Sequence, residues 1–454
     1  MLVKRTAQLK LLEEQYASLG SNIVIFYGRK GLGKTTLLTE FMVGKPAFFY
    51  TGVECVDVLQ LFLMTKQWLR NPKDINSQDL NPENYSELFL AIREQEQKPV
   101  IILDEFHLCL KNSTDFLEIF KALSDPNFPI MLTLCSSSIR WVENEMIDSL
   151  GESAAFITAY MKLKEFTFVE LVNRFPKASV ESCIYINAIL GGVPDYLNEW
   201  QESSSVKENM ISILLNKDSR LFFEPQQFLN QELREPAVYN TILFALAGGN
   251  RKLNDIHERT GFSRAKISVY LKHLIQLDLV EKLVPMGEEG KENVRKGLYR
   301  IKDNFFSFWY RFVFPNLSEL MLGRAADVYD KCIEPYLNDY VEEYFSDVCT
   351  EYLKLMNQHQ RLPGKYLWWD RWYGKNGTID ILAQGEGNST LVGKCLWEER
   401  KLDISDYESL LSLSGEARIN PVFCYLFSKG GFTQELRQYG KNKKNIILVG
   451  LEDL

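Results

Sequence analysis

Gly28-Arg29-Lys30-Gly31-Leu32-Gly33-Lys34-Thr35 is the stretch that decides how this chain is read. An apolar run, Ile23-Val24-Ile25-Phe26-Tyr27, precedes it and predicts a buried strand. Thr36-Leu37-Leu38-Thr39-Glu40-Phe41 follows and predicts the first turns of a helix. G-x-x-x-x-G-K-T between a strand and a helix is the setting of a phosphate-binding loop. Its glycines let the backbone curl until successive N–H groups face one anion. The helix N-terminus adds unpaired N–H groups and a partial positive charge. The pattern predicts that Gly28, Arg29, Lys30, Gly31, Leu32, Gly33, Lys34, Thr35 and Thr36 wrap the phosphates of a nucleotide. Lys34 is expected to reach the β- and γ-phosphates, and Thr35 to offer its hydroxyl to Mg²⁺.

A second signature lies downstream in Pro99-Val100-Ile101-Ile102-Leu103-Asp104-Glu105-Phe106. A strand buried on both faces carries its acids at its C-terminal end, where ligands bind in α/β sheets. Asp104 is therefore expected to hold Mg²⁺, and Glu105 to orient a water for attack on the γ-phosphate. The adjacent Glu105 favours hydrolysis over simple phosphoryl transfer. Another strand, Ile130-Met131-Leu132-Thr133-Leu134-Cys135, ends in Ser136-Ser137-Ser138. Ser136 or Ser137 is expected to sense the γ-phosphate, and Ser137 joins the predicted nucleotide site. Arg140 reads as an exposed arginine rather than a charge-stabilising one. Ala154-Ala155-Phe156-Ile157 is the candidate fifth strand. Ahead of the loop, Leu9, Leu11, Leu12 and Tyr16 suggest an amphipathic helix. A helical region is expected from Val58 to Gln97, broken near Asn71-Pro72 and Asn81-Pro82.

A chain of 454 residues has room for two to four domains. Its 46% hydrophobic and 25% charged residues are ordinary for a globular protein, and its net charge of −8 means that any nucleic-acid site must be local. No run approaches the ~20 apolar residues of a membrane helix, and the first residues lack the apolar core of a signal peptide. The eight cysteines are scattered without C-x-x-C, so reduced thiols, no zinc site and a cytoplasmic location are expected.

Residues 236–302 carry a different pattern. Helices are expected over 237–246, 253–260 and 264–277, the third capped by Ser263 with Ile267, Tyr270, Leu271, Leu274 and Ile275 on its buried side. Two strands around 279–284 and 297–301 flank a tip at Gly287-Glu288-Glu289-Gly290-Lys291. Helix–turn–helix followed by a hairpin is a winged helix. Residues 251–302 hold 12 Lys+Arg against 7 Asp+Glu, about +5 in an acidic protein. Arg264, Lys266 and Lys272 on the third helix suit phosphate and base-edge contacts with duplex DNA. A winged helix used only for protein contacts is the alternative.

The last region, 303–454, opens on Phe305-Phe306-Ser307-Phe308-Trp309-Tyr310-Arg311-Phe312-Val313-Phe314. Apolar residues cover all faces of this helix, which predicts packing core rather than base stacking. A helical stretch over 328–356 precedes strand-like segments near 366–373, 378–383, 389–397, 422–428 and 446–449.

Taken together, these stretches resemble the archaeal-type P-loop ATPases of the AAA+ and STAND-related group. The resemblance rests on Gly28 to Thr35, Leu103-Asp104-Glu105, Leu163-Lys164-Glu165-Phe166-Thr167-Phe168 and Gly191-Gly192-Val193-Pro194-Asp195-Tyr196-Leu197. It continues in Leu233-Arg234-Glu235-Pro236 and Phe308-Trp309-Tyr310-Arg311-Phe312. It implies an α/β fold in three parts: a P-loop NTPase core with a parallel sheet and helical lid over 1–235, a winged helix over 236–302, and a restriction-endonuclease-like α/β domain over 303–454. It implies an ATP- and Mg²⁺-dependent ATPase whose partners are ATP and duplex DNA, with self-association an open option. Relatives often carry an arginine after the fifth strand, near Thr158-Ala159-Tyr160; this chain has none there, which implies slow turnover.

The same resemblance bears on the C-terminal domain. An active PD-(D/E)XK core chelates Mg²⁺ with two carboxylates and uses a lysine to assist the attacking water. Relatives carry a Gly-Glu-Cys-Lys-Trp-like strand; here it reads Gly393-Lys394-Cys395-Leu396-Trp397. Asp380 remains, the second acid has become Lys394, the lysine has become Leu396, and Ser346 stands after Phe345 where a helical glutamate is usual. A non-cutting domain is expected. The alternative, Glu399-Arg400-Lys401 with Glu343 or Glu351 as the helical acid, requires a register slip of six residues.

Overall fold

A computed structural model describes residues 5–69, 82–93, 98–110, 115–117, 119–120, 129–284, 297–386 and 389–454. The chain divides into two compact units, one formed chiefly by residues 2–165 and the other by residues 166–275 and 279–454.

The smaller unit is built on five strands: β1 (Asn22–Tyr27), β2 (Ala47–Thr51), β3 (Val100–Asp104), β4 (Met131–Ser136) and β5 (Ala159–Lys162). They form one sheet in the order β2-β3-β4-β1-β5, and every pairing is parallel. Val24, Ile25, Phe26, Val100, Ile101, Ile102 and Leu103 are fully buried. Continuous apolar runs are what a parallel sheet covered on both faces demands. Two helices matter for the site, α1 (Thr6–Ala17) before the sheet and α2 (Lys34–Met42) directly after the phosphate loop. The strand that carries the acids, β3, is separated from β1 by β4 alone. Parallel strands end on the same edge, so the loops after β1, β3 and β4 gather at one place.

Residues 151–156, where a fifth strand was expected to begin, instead form a 3₁₀ turn. The ladder starts only at Thr158, whose N–H donates to the Ile23 carbonyl at 2.8 Å. With Val24 in register with Ala159, residues 154–156 fall before the start of β1 at Asn22. The expected breaks near Asn71 and Asn81 lie outside the described residues.

In the larger unit, residues 166–235 are largely helical, with helices at Phe168–Arg174, Val180–Leu190 and Glu224–Glu232. By packing, this segment groups with the C-terminal residues rather than with the parallel sheet. Three helices follow, α3 (Pro236–Ala247), α4 (Leu253–Thr260) and α5 (Arg264–Gln276), and then an antiparallel pair, β6 (Val280–Leu283) and β7 (Leu298–Ile301). This is the winged helix; the tip expected at 287–291 lies outside the described residues. Ile267, Leu271 and Leu274 are buried as expected, but Tyr270 is only half-buried and Ile275 is exposed, because both fall at the edge of a narrow apolar stripe.

Phe305, Phe306, Phe308, Trp309, Tyr310 and Phe312 are all buried, so the aromatic run is core. The helix expected from 328 is interrupted. Pro335, which has no N–H to donate, stands in a 3₁₀ turn at Glu334–Tyr336, and the continuous helix α6 spans Leu337–Gln358. The last sheet contains β8 (Tyr366–Tyr373), β9 (Thr378–Gly385), β10 (Thr390–Leu396), β11 (Phe423–Ser428) and β12 (Ile446–Gly450) in the order β12-β11-β10-β9-β8. The β8-β9-β10 pairings are antiparallel and the β10-β11-β12 pairings parallel, a mixed sheet of nuclease-like form. No helix among the described residues is long and apolar enough to cross a membrane.

Candidate functional site

The phosphate loop runs from the end of β1 into α2, and its conformation depends on glycine. Gly31 and Gly33 adopt φ of 86° and 83°, values that penalise any residue with a Cβ. A Cβ on Gly28 would come within 2.5 Å of the Leu163 carbonyl oxygen, so only glycine lets the loop start this close to its neighbour. Lys34 is 6% exposed, and its Nζ donates to the Gly28 and Arg29 carbonyls at 2.7 and 3.0 Å. Burial pushes this ammonium's pKa below its ordinary value, while Cys135, Glu105 and Asp104 pull it back. Arg29 and Leu32 are buried; Lys30, Thr35 and Thr36 are exposed at the loop's mouth.

The acids arrive from β3. Asp104 is buried, and its Oδ2 lies 3.3 Å from the Thr35 hydroxyl, 69 residues away in sequence. A hard cation held between these two side chains would meet two oxygen ligands, so the set fits Mg²⁺. Glu105 follows with a φ of 51°, a left-handed conformation that a non-glycine residue adopts at a cost. Its Oε2 accepts from both the N–H and the hydroxyl of Ser137, each at 2.9 Å. Ser136 faces elsewhere: its Oγ shares a hydrogen bond with His107 Nδ1 at 3.1 Å, and that nitrogen is 3.5 Å from Glu105 Oε2. The sequence reading missed His107. Its spacing from Glu105 was visible, but only the short turn after β3 brings it back beside the carboxylate. Arg140 is exposed and pairs with Glu145 at 3.5 Å, as an exposed arginine should.

On the winged helix, Ser263, Arg264, Lys266, Ser268 and Lys272 are exposed along α5. Arg264 donates to the Asn254 side chain, and Lys266 lies 4.8 Å from the centre of the Phe262 ring.

Asp380, the pair Lys394 and Leu396, and Ser346 stand on β9, β10 and α6. Asp380 on β9 accepts from the Cys395 N–H at 2.8 Å, and burial raises its pKa, partly offset by that N–H and by Lys394. Leu396 is buried in the core of the domain. Ser346 is buried in α6; its hydroxyl donates to the Glu343 carbonyl and accepts from Arg371. The substitute acids are engaged elsewhere. Glu343 pairs with Arg251, Glu351 accepts from the Phe168 N–H at 2.7 Å, and Glu399, beyond the end of β10, pairs with Lys429 at 2.7 Å. The helical acid that feels Asp380 is Glu342, which the sequence reading missed. Burial first, and then the charges of Asp380 and Glu398, push its pKa up to about 7, against the pull of Lys394. Nothing in the sequence distinguished Glu342 from Glu343; only the facing of α6 does. Among the described residues no group of three or more His, Cys, Asp or Glu side chains is arranged to hold a metal ion.

Comparison with known proteins finds three family matches along the chain. Residues 2–200 match the family described as an ATPase domain predominantly from Archaea. Residues 240–282 match the arsR family of bacterial regulatory proteins, and residues 309–408 a family of archaeal and bacterial proteins of unknown function. An uncharacterized protein of Methanocaldococcus jannaschii is 28% identical over 406 residues, 88% of each chain. The solved Walker-type ATPase of Pyrococcus abyssi covers 68% of this chain and 96% of its own at 16% identity, with a TM-score of 0.50. That likeness is one of fold.

Proposed function

We propose that this chain, which carries an archaeal-type ATPase domain, a winged helix and a PD-(D/E)XK-like domain, is a slow Mg²⁺-dependent ATPase. Its nucleotide state, in this reading, sets how the winged helix engages duplex DNA, with residues 166–235 as the lid. The observation that carries the nucleotide half is the Thr35–Asp104 approach of 3.3 Å beside the buried Lys34. The start of α2, the end of β3 and the turn after β4 meet there, which supports a nucleoside-triphosphate site.

Each residue has a defined task. Lys34 exchanges its two carbonyl partners for phosphate oxygens. Thr35 and Asp104 would hold Mg²⁺, which would neutralise charge on the phosphates when bound. Glu105 orients the attacking water. Both Ser137 donors converge on its Oε2, which fixes the carboxylate and leaves Oε1 to accept from that water. Slow turnover is supported by the lack of an arginine through β5 and the Leu163-Lys164-Glu165 strap that follows it. The same lack favours a second reading, a nucleotide-switched DNA-binding regulator with negligible hydrolysis. The C-terminal domain, with Lys394 and Leu396 where an acid and a lysine are needed, is proposed as a non-cutting scaffold.

Phosphate release by the purified chain with Mg²⁺-ATP, with and without duplex DNA, tests the proposal. Multiple turnover changed by DNA is expected. Nucleotide binding without turnover under either condition leaves the switch reading standing and removes the ATPase one.

A further inference from the structure

We infer that Arg5, which stands 23 residues ahead of the phosphate loop at Gly28, is a positioning residue that holds that loop open for its anion. The inference rests on the reading of residues 28–35 as a nucleotide site and deepens it. Arg5 precedes α1 and is 6% exposed. One of its guanidinium nitrogens donates to the Leu32 carbonyl at 3.1 Å, and the other to the Lys164 carbonyl at 2.7 Å. Three distant segments therefore meet at one side chain: the start of the helix, the phosphate loop, and the strap that follows β5.

The Leu32 bond matters because of peptide geometry. A trans peptide points its C=O and the N–H of the next residue in opposite directions. Drawing the Leu32 carbonyl outward to Arg5 turns the Gly33 N–H the other way, into the hollow of the loop. That N–H belongs to the set that must converge on a phosphate. Gly33, at φ 83°, is free to rotate without a Cβ, so the peptide needs an external anchor to keep this orientation.

The Lys164 bond supplies the anchor's own support. The strap 163–165 lies along the loop at three points. The Leu163 carbonyl abuts Gly28, the Lys164 carbonyl accepts from Arg5, and Glu165 is 3.6 Å from Arg29, whose side chain is 5% exposed. A guanidinium can reach carbonyls of two separate segments because its donors stand on different nitrogens of a rigid planar fork, whereas an ammonium offers all its donors from one atom. Arg5 does not touch the nucleotide in this scheme; it acts through the Leu32–Gly33 peptide.

The test is titration calorimetry with Mg²⁺-ADP, alongside steady-state phosphate release with Mg²⁺-ATP, on the full chain and on Arg5→Ala, Arg5→Lys and Glu165→Gln. Losing a charged donor to a carbonyl that orients the site is expected to weaken binding roughly tenfold or more in Arg5→Ala. KM should rise with little change in kcat. Arg5→Lys should restore the melting temperature of the empty protein but not the affinity, a split that a merely structural role would not give. If Arg5→Ala does not fold, Arg5→Lys decides. Parent-like affinity in a folded Arg5→Lys protein overturns the inference while leaving the nucleotide site intact. A parent chain that binds no nucleotide refutes both readings.

Discussion

Replacing Lys34 with alanine should abolish useful nucleotide affinity without destabilising the empty protein. In the empty loop the ammonium donates to two carbonyls, Gly28 at 2.7 Å and Arg29 at 3.0 Å. Binding exchanges these for phosphate oxygens, and charge-assisted bonds contribute about 1.5–3 kcal/mol each. Two such bonds would total roughly 3–6 kcal/mol, but the two surrendered carbonyls offset part of that. The lower end is therefore expected, a loss of roughly hundredfold. The stability argument runs separately. Burial lowers the Lys34 pKa, so the folded protein holds this proton less tightly than the unfolded chain. The charged form thus costs stability at neutral pH, and that cost fades only as the pH rises towards the unfolded value near 10.5. Deleting the charge should leave the melting temperature of the empty protein unchanged or higher. Lys34→Met, which keeps the aliphatic stem, removes any contribution from a new cavity. The assays are titration calorimetry with Mg²⁺-ADP and thermal unfolding without nucleotide. Affinity within threefold of the parent in folded Lys34→Met would refute the assignment of this lysine to the phosphates.

Three further outcomes are expected. Glu105→Gln should keep nucleotide affinity but stop multiple-turnover phosphate release; release at the parent rate would show that another group orients the water. Arg264→Ala, Lys266→Ala and Lys272→Ala should each weaken duplex binding across sequences, and each lost phosphate contact should make the salt dependence shallower by about one unit of slope; unchanged slopes would assign α5 to protein contacts. Glu342→Gln probes the acid on α6 that feels the charge of Asp380. An acid raised to about 7 favours the folded state fully below its unfolded pKa, and this advantage is lost as pH climbs through 7. The melting temperature of Glu342→Gln should therefore exceed the parent's by a margin that grows from pH 5 to pH 8, and a margin independent of pH would remove the burial argument.

Much of this was legible in the order of residues because local physics dictates it. Ile23 to Thr35 could be read as strand, loop and helix, since an apolar run, glycines at left-handed positions and a lysine at the helix start each constrain only their neighbours. Asp104 and Glu105 were readable as the polar end of a buried strand. The winged helix was readable from caps, an apolar stripe and a hairpin, except for Tyr270 and Ile275 at the edge of that stripe.

What the sequence could not supply are relations between residues far apart in the chain. That Ser137 rather than Ser136 grips Glu105 follows from which way the chain turns after β4. His107 reaches the same carboxylate because the chain turns back just after β3, where Glu105 takes a left-handed φ. Arg5 belongs to the phosphate loop solely because α1 begins where Leu32 and Lys164 also meet. Glu342, not Glu343, confronts Asp380 because adjacent helical residues diverge by about 100°, and packing alone selects the face. The sequence by itself determined the chemistry available at each strand end, because motif and periodicity are local. The tertiary structure decided which groups act on one another, because hydrogen bonds and burial depend on distance in space and not on separation along the chain.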